Sequence, residues 1–132
     1  MAAADVTNLV ELDANYLIAA AQRQTPVSRE LEDWLGRGII VQTSSVAWSE
    51  YLCGPLDDDE KASTRHMLRG IEPFTMADAE LASELFNTTG RRSRSHTDCM
   101  IAAHAIRRDA FLATLNLEDF RRFDQLRLAQ EL

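Results

Sequence analysis

The sequence predicts an α/β fold of three layers, a mostly parallel sheet of four to five strands between helices. Short apolar, β-branched runs alternate with longer segments of helical composition, and each change of pattern carries a cap or a breaker. The 132 residues, 45% of them hydrophobic, suffice for a core without disulfides. A single domain over residues 1–132 is therefore expected.

Leu9-Val-Glu-Leu12 reads as a short buried strand ending at Asp13. Asn15 marks a turn, and Tyr16 to Arg23 has helical composition. Thr25-Pro-Val-Ser28 separates it from a helix over Arg29 to Leu35, ended by the Gly36 and Gly38 pair. Ile39 to Thr43 is β-branched and reads as the second strand. Ser44-Ser45 can cap a helix carrying Val46, Trp48, Glu50 and Tyr51, stopped by Gly54-Pro55. The acidic run Asp57 to Glu60 opens a helix to about Arg69, because acids at a helix start complement its dipole. Ile71 to Phe74 is a third strand, and Thr75 caps a helix through Phe86. After a polar loop from Asn87 to Ser95 comes a strongly apolar helix, Thr97 to Arg108. Phe111 to Thr114 is a fourth strand and Leu126 to Ala129 a fifth.

Composition removes several classes of function. No run of about 18 apolar residues is present, so no membrane-spanning helix is expected. The opening Met1 to Asn8 lacks the basic and long apolar regions of a secretory leader, which predicts a cytoplasmic protein. A net charge of −7 argues against duplex binding through a broad basic face, but not against a metal-dependent nuclease. Cys53 and Cys99 lie in apolar helical patterns and are expected to be buried free thiols. Zinc held by Cys99 with His96 or His104 would lack two suitable ligands. His66, His96 and His104 show no ligand spacing and are expected to be structural or exposed.

The chemistry lies in four acids set against apolar runs: Asp13, Glu50, Asp98 and Asp119. A carboxylate in core-forming sequence belongs on the rim of a buried sheet or inside it, where it needs a partner. A hard divalent cation is such a partner. In parallel sheets the ligand crevice lies beyond the carboxyl ends of the strands, and all four acids can be placed at that rim.

Three segments together resemble the PIN-domain ribonucleases, most closely the VapC-like toxins of bacterial toxin–antitoxin pairs. They are Leu12-Asp-Ala-Asn-Tyr16, Thr43-Ser-Ser-Val-Ala-Trp-Ser-Glu50 through Gly54, and Asp98-Cys-Met-Ile-Ala-Ala103 with Thr114-Leu-Asn-Leu-Glu-Asp-Phe120. Order, spacing and nearly the whole chain agree, although the stretch before Asp13 is longer than in many relatives.

The resemblance implies an endoribonuclease that hydrolyses RNA by metal-activated water, leaving a 5′-phosphate and a 3′-hydroxyl. The ion would be Mg²⁺ or Mn²⁺. Asp13, Glu50 and Asp98 would hold it, with Asp119 or Asn116 at the fourth position. Asn15, Ser45 and Thr114 stand beside ligand positions and could orient carboxylates or water; capping and turn roles explain them equally. Arg91, Arg92 and Arg94 form the dense basic run and could grip RNA phosphates, dock an acidic antitoxin segment, or be a solvated loop. The expected partners are tRNA, rRNA or mRNA, a VapB-like antitoxin and a second copy of the chain. Two other classes compete: a catalytically weak PIN-fold module that only binds RNA or protein, and a phosphatase using Asp13 as nucleophile. The latter needs a positioned lysine, and Lys61, the one lysine, falls in a solvated helix.

Overall fold

The computed structural model describes residues 8–132; the expectation of no secretory leader concerns a segment mostly outside them. Five strands, β1 (Leu9–Leu12), β2 (Ile40–Ser44), β3 (Ile71–Glu72), β4 (Phe111–Ala113) and β5 (Arg127–Leu128), form one sheet in the order β3-β2-β1-β4-β5. Every pairing is parallel. The chain builds outward from β1 to β2 and β3, then returns to place β4 on β1's other side. The strand order thus switches between β1 and β4, where parallel sheets form their ligand crevice.

The helices are α1 (Ala14–Ala20), α2 (Pro26–Gly36), α3 (Ser45–Leu52), α4 (Asp58–Met67), α5 (Met76–Thr88), α6 (His96–Arg107) and α7 (Leu117–Phe120). Two cores flank the sheet. Val10, Leu12, Val41, Phe111 and Ala113 meet Tyr16 and Leu17 of α1 and Leu31 and Trp34 of α2. On the opposite face Leu112 and Leu128 meet Ala82 and Leu85 of α5 and Cys99, Ile101 and Ala102 of α6. A strand's side chains alternate between faces, so β1 supplies Val10 and Leu12 to one core and turns Glu11 into the other.

Cap chemistry explains where the boundaries moved. α2 begins at Pro26 rather than Arg29, because Thr25 and Ser28 form a reciprocal capping box and proline suits the first helical turn. Ser44, not Ser45, caps α3 by accepting from Ala47 N–H at 3.0 Å. Asp57 caps α4 at Glu60 N–H, as the acidic run predicted. β3 is only two residues long, since Pro73 has no N–H and Phe74 N–H is taken by the Ser45 hydroxyl at 3.0 Å. Cys99 is buried and unpaired, but Cys53, the C-cap of α3 beside Gly54-Pro55, is exposed, against expectation.

Asp78 pins the α5–α6 face. It is fully buried and receives Arg107 at 3.0 Å and Arg108 through two guanidinium nitrogens at 2.9 and 3.0 Å. Burial alone would raise its pKa, but hydrogen bonds from Arg108, Thr75 N–H and Arg107, with the Arg108 charge, hold it well below the carboxylate range.

Candidate active site

Asp13 follows β1 directly, at the switch point. Its N–H donates to Ala113 O of β4 at 2.9 Å, which ties the ends of the two central strands together. Its Oδ1 accepts Ala14 N–H at 2.8 Å and caps α1; Oδ2 accepts the Thr114 hydroxyl at 2.7 Å. Thr114 Oγ1 also accepts Asn116 N–H at 3.0 Å, so one hydroxyl orients the carboxylate and shapes the β4–α7 loop. Burial pushes the Asp13 carboxyl above its ordinary range, against the pull of these two donors.

Glu50 and Asp98 reach the same region from helices. Asp98 is half-buried in the first turn of α6. Glu50 is exposed and sits toward the end of α3, and α3 packs against both α1 and α6. Partial burial and then the charges of Asp13 and Asp98 raise the Glu50 pKa. The Asp98 pKa is raised by burial, then by Asp13 and Asp119, and eased by Arg122. The four acids thus form one electrostatic group. Among the described residues no three His, Cys, Asp or Glu side chains stand close enough to share an ion, so the acids gather at Coulombic rather than coordination range.

In ligand type, though not in its present spacing, this donor set suits a hard divalent cation. The group is all carboxylate oxygen, the neighbouring acids raise the pKa of Glu50 and of Asp98, and a cation relieves that repulsion. Asp13 would be the fixed ligand and Glu50 and Asp98 the adjustable ones; Asp119, exposed in the first turn of α7, would be a fourth. Asn116 is exposed at the start of α7 and makes no side-chain cap bond.

The neighbouring polar residues divide by role. Thr114 touches Asp13 directly. Asn15 instead accepts Leu115 N–H at 3.1 Å and anchors the β4–α7 loop to α1. Ser45 accepts Phe74 N–H and lines a cleft of about 370 Å³ with Glu50, Thr97 and Met100. Arg91, Arg92 and Arg94 are all exposed just before α6; Arg91 and Arg94 take left-handed backbone angles, φ 51° and 66°. Ser95 steadies the loop by donating to Arg92 O at 2.7 Å. His96 is exposed, edge-on to Phe86.

A model of the PIN domain family matches residues 10–126 of this sequence. The chain belongs to the PIN domain family. Solved structures similar to this PIN domain include VapBC2 from Rickettsia felis bound to a DNA fragment from its promoter, at 21% identity and a TM-score of 0.73. That match covers 91% of this chain and 96% of the other. VapBC-1 from nontypeable Haemophilus influenzae is similar at 17% identity and a TM-score of 0.71, over 91% and 96% of the two chains. VapC20 of Mycobacterium tuberculosis, a toxin that cleaves the sarcin-ricin loop, is similar at 13% identity and a TM-score of 0.63, over 86% and 95%. Comparison with curated proteins yields no match. Identities this low establish the fold that the alternating pattern predicted. Among the described residues, no helix of this PIN domain is long and apolar enough to cross a membrane.

Two features of the PIN domain escaped sequence reasoning. Glu11 and His104 form a buried pair, and the Arg122 charge acts on Asp98. A charge inside the apolar strand Leu9–Leu12 and a histidine inside the apolar face of α6 were the available signals for the first. Nothing local marks Arg122.

Proposed function

We propose that this PIN domain, a single folding unit, is a Mg²⁺- or Mn²⁺-dependent endoribonuclease of the VapC type, acting in the cytoplasm. The carrying observation is the electrostatic group Asp13, Glu50 and Asp98 at the β1–β4 switch point. A bound divalent ion supplies activation of water and neutralisation of charge on the phosphate. The protein's share is orientation: Thr114 and Ala14 N–H hold the Asp13 carboxylate in one rotamer, and α3 and α6 bring Glu50 and Asp98 toward it. Asp119, or Asn116 beside it, completes the set from α7. Arg91, Arg92 and Arg94 draw the RNA strand toward an otherwise acidic rim.

Single-stranded or loop RNA is the fitting substrate, because a rim of acids with one basic loop offers no duplex-groove reader among the described residues. By analogy with the VapBC assemblies, a VapB-like antitoxin holds the chain inactive, and the chain itself works as a homodimer.

The test is cleavage of tRNA, rRNA and mRNA by purified protein in Mg²⁺ or Mn²⁺, with chelated and Asp98→Asn controls. Metal-dependent products bearing 5′-phosphates, lost with Asp98→Asn, are expected. Growth arrest that persists with Asp98→Asn would instead mark a module that binds without cutting.

A further inference from the structure

The acids described above are not the whole of the candidate site. Arg122, just past α7, is half-buried, with its guanidinium carbon 4.4 Å above the Phe123 ring. Its Nη1 donates to Asp119 O. Its Nε and Nη2 are buried and make no hydrogen bond among the described residues. These two nitrogens form one edge of the guanidinium, the fork that meets two oxygens of a phosphate or carboxylate side by side. Asp98 lies within Coulombic reach yet does not take that edge. Buried donors without acceptors are rare and costly in a folded chain, so a cationic fork left open here points to an anion that arrives from outside.

Resting on the ribonuclease reading, we infer that Arg122 is a substrate-binding residue whose Nε and Nη2 take a phosphate of the RNA strand at the acidic site. The site needs such a group. Four carboxylates repel a polyanion, and a guanidinium among them gives the phosphate a fixed contact while a metal balances the acids. Phe123 and the Asp119 carbonyl hold the guanidinium next to the acids in the unbound protein. A small rotation of a half-exposed side chain delivers the fork to the strand, a change common at interfaces.

The experiment measures binding of a fluorescein-labelled single-stranded RNA by anisotropy, with Ca²⁺ in place of the catalytic ion, across a salt series. Wild type, Arg122→Met and Arg122→Lys are compared, together with Mn²⁺ affinity and melting temperature. Arg122→Met should weaken RNA binding about tenfold. Its slope of log affinity against log salt should fall by about 0.7, the share of one single-strand phosphate. Mn²⁺ affinity should hold or tighten, because a neighbouring cation is gone. Arg122→Lys should keep the slope and lose part of the affinity, since lysine cannot present a fork.

Unchanged RNA affinity, or affinity lost with the slope intact, overturns the inference. So does a defect confined to binding an acidic protein partner. If Arg122→Met does not fold, an Arg122→Lys protein with wild-type affinity is decisive against it. Wild-type protein that neither cuts nor binds RNA removes the ribonuclease reading and this inference together; normal cutting with an indifferent Arg122 removes only the latter.

Discussion

Glu11 of β1 and His104 of α6 meet inside the protein, Oε1 to Nδ1 at 2.7 Å, each no more than 2% exposed. Gln42 of β2 donates to the other Glu11 oxygen at 2.8 Å, and Arg69 donates to Gln42 at 2.9 Å, so a polar chain runs across the strands to the surface. Glu11 lies two residues before Asp13, and His104 six after Asp98. The pair therefore clamps the elements that carry two of the proposed ligands.

Breaking that clamp should be costly. Glu11→Leu or His104→Leu alone leaves a buried polar group without its partner and should lower stability by about 3–5 kcal/mol. The double replacement should cost clearly less than the sum of the two. Urea titration of the four proteins measures this, and additivity within about 0.5 kcal/mol would mean the pair is not coupled.

Thr114→Val keeps the side chain's shape and removes the hydroxyl that donates to Asp13 Oδ2. That bond lowers the Asp13 pKa, so its loss should raise it further. The acidic limb of the cleavage pH profile should then move to higher pH, with activity at neutral pH falling less than for Asp13→Asn. A profile that stays in place would deny Thr114 its role.

The acids of the site should weaken the metal-free fold. Asp13, Glu50 and Asp98 all have folded-state pKa values raised above their unfolded ones. Their contribution to stability is complete below the unfolded values, near pH 4, and is lost as pH rises through the raised ones. Asp98→Asn should therefore raise the melting temperature in EDTA at neutral pH while abolishing cleavage. Mn²⁺ should stabilise wild type, by about 2.7 kcal/mol at a hundredfold excess over Kd, and Asp98→Asn far less. Calorimetry with and without metal decides it; an Asp98→Asn protein less stable than wild type in EDTA would contradict the repulsion argument.

Asp78 behaves oppositely. Its folded pKa is depressed, so its stabilisation is present above the unfolded value of 3.8 and fades as pH falls through the lower folded one. Asp78→Asn should cost most at neutral pH and progressively less in strong acid, where wild type loses the Arg107 and Arg108 pairs as well. Equal penalties at pH 7 and pH 2 would show that packing, not charge, holds this corner.

The sequence by itself determined much of the local structure, and it suggested the chemistry proposed above. Alternating periods of two and 3.6 residues announce strands and helices because each depends on neighbours a few positions away. Thr75 and Asp57 cap their helices through bonds only three residues long. Asp13 beside an apolar strand and Asp98 in an apolar helix already pointed to a hard cation. Which residues meet was decided only by the tertiary structure. Thr114 reaches Asp13 across 101 positions and His104 reaches Glu11 across 93, because β4 returns to β1's free edge and α6 lies over the same face. Glu50 and Asp119 looked equally interior from their apolar neighbours, yet both are exposed, because a helix buries one stripe and turns the rest to solvent. The open fork of Arg122 has no local pattern at all. Periodicity carries short-range information, whereas the meeting of distant side chains depends on strand order and packing, and no window of neighbouring residues contains either.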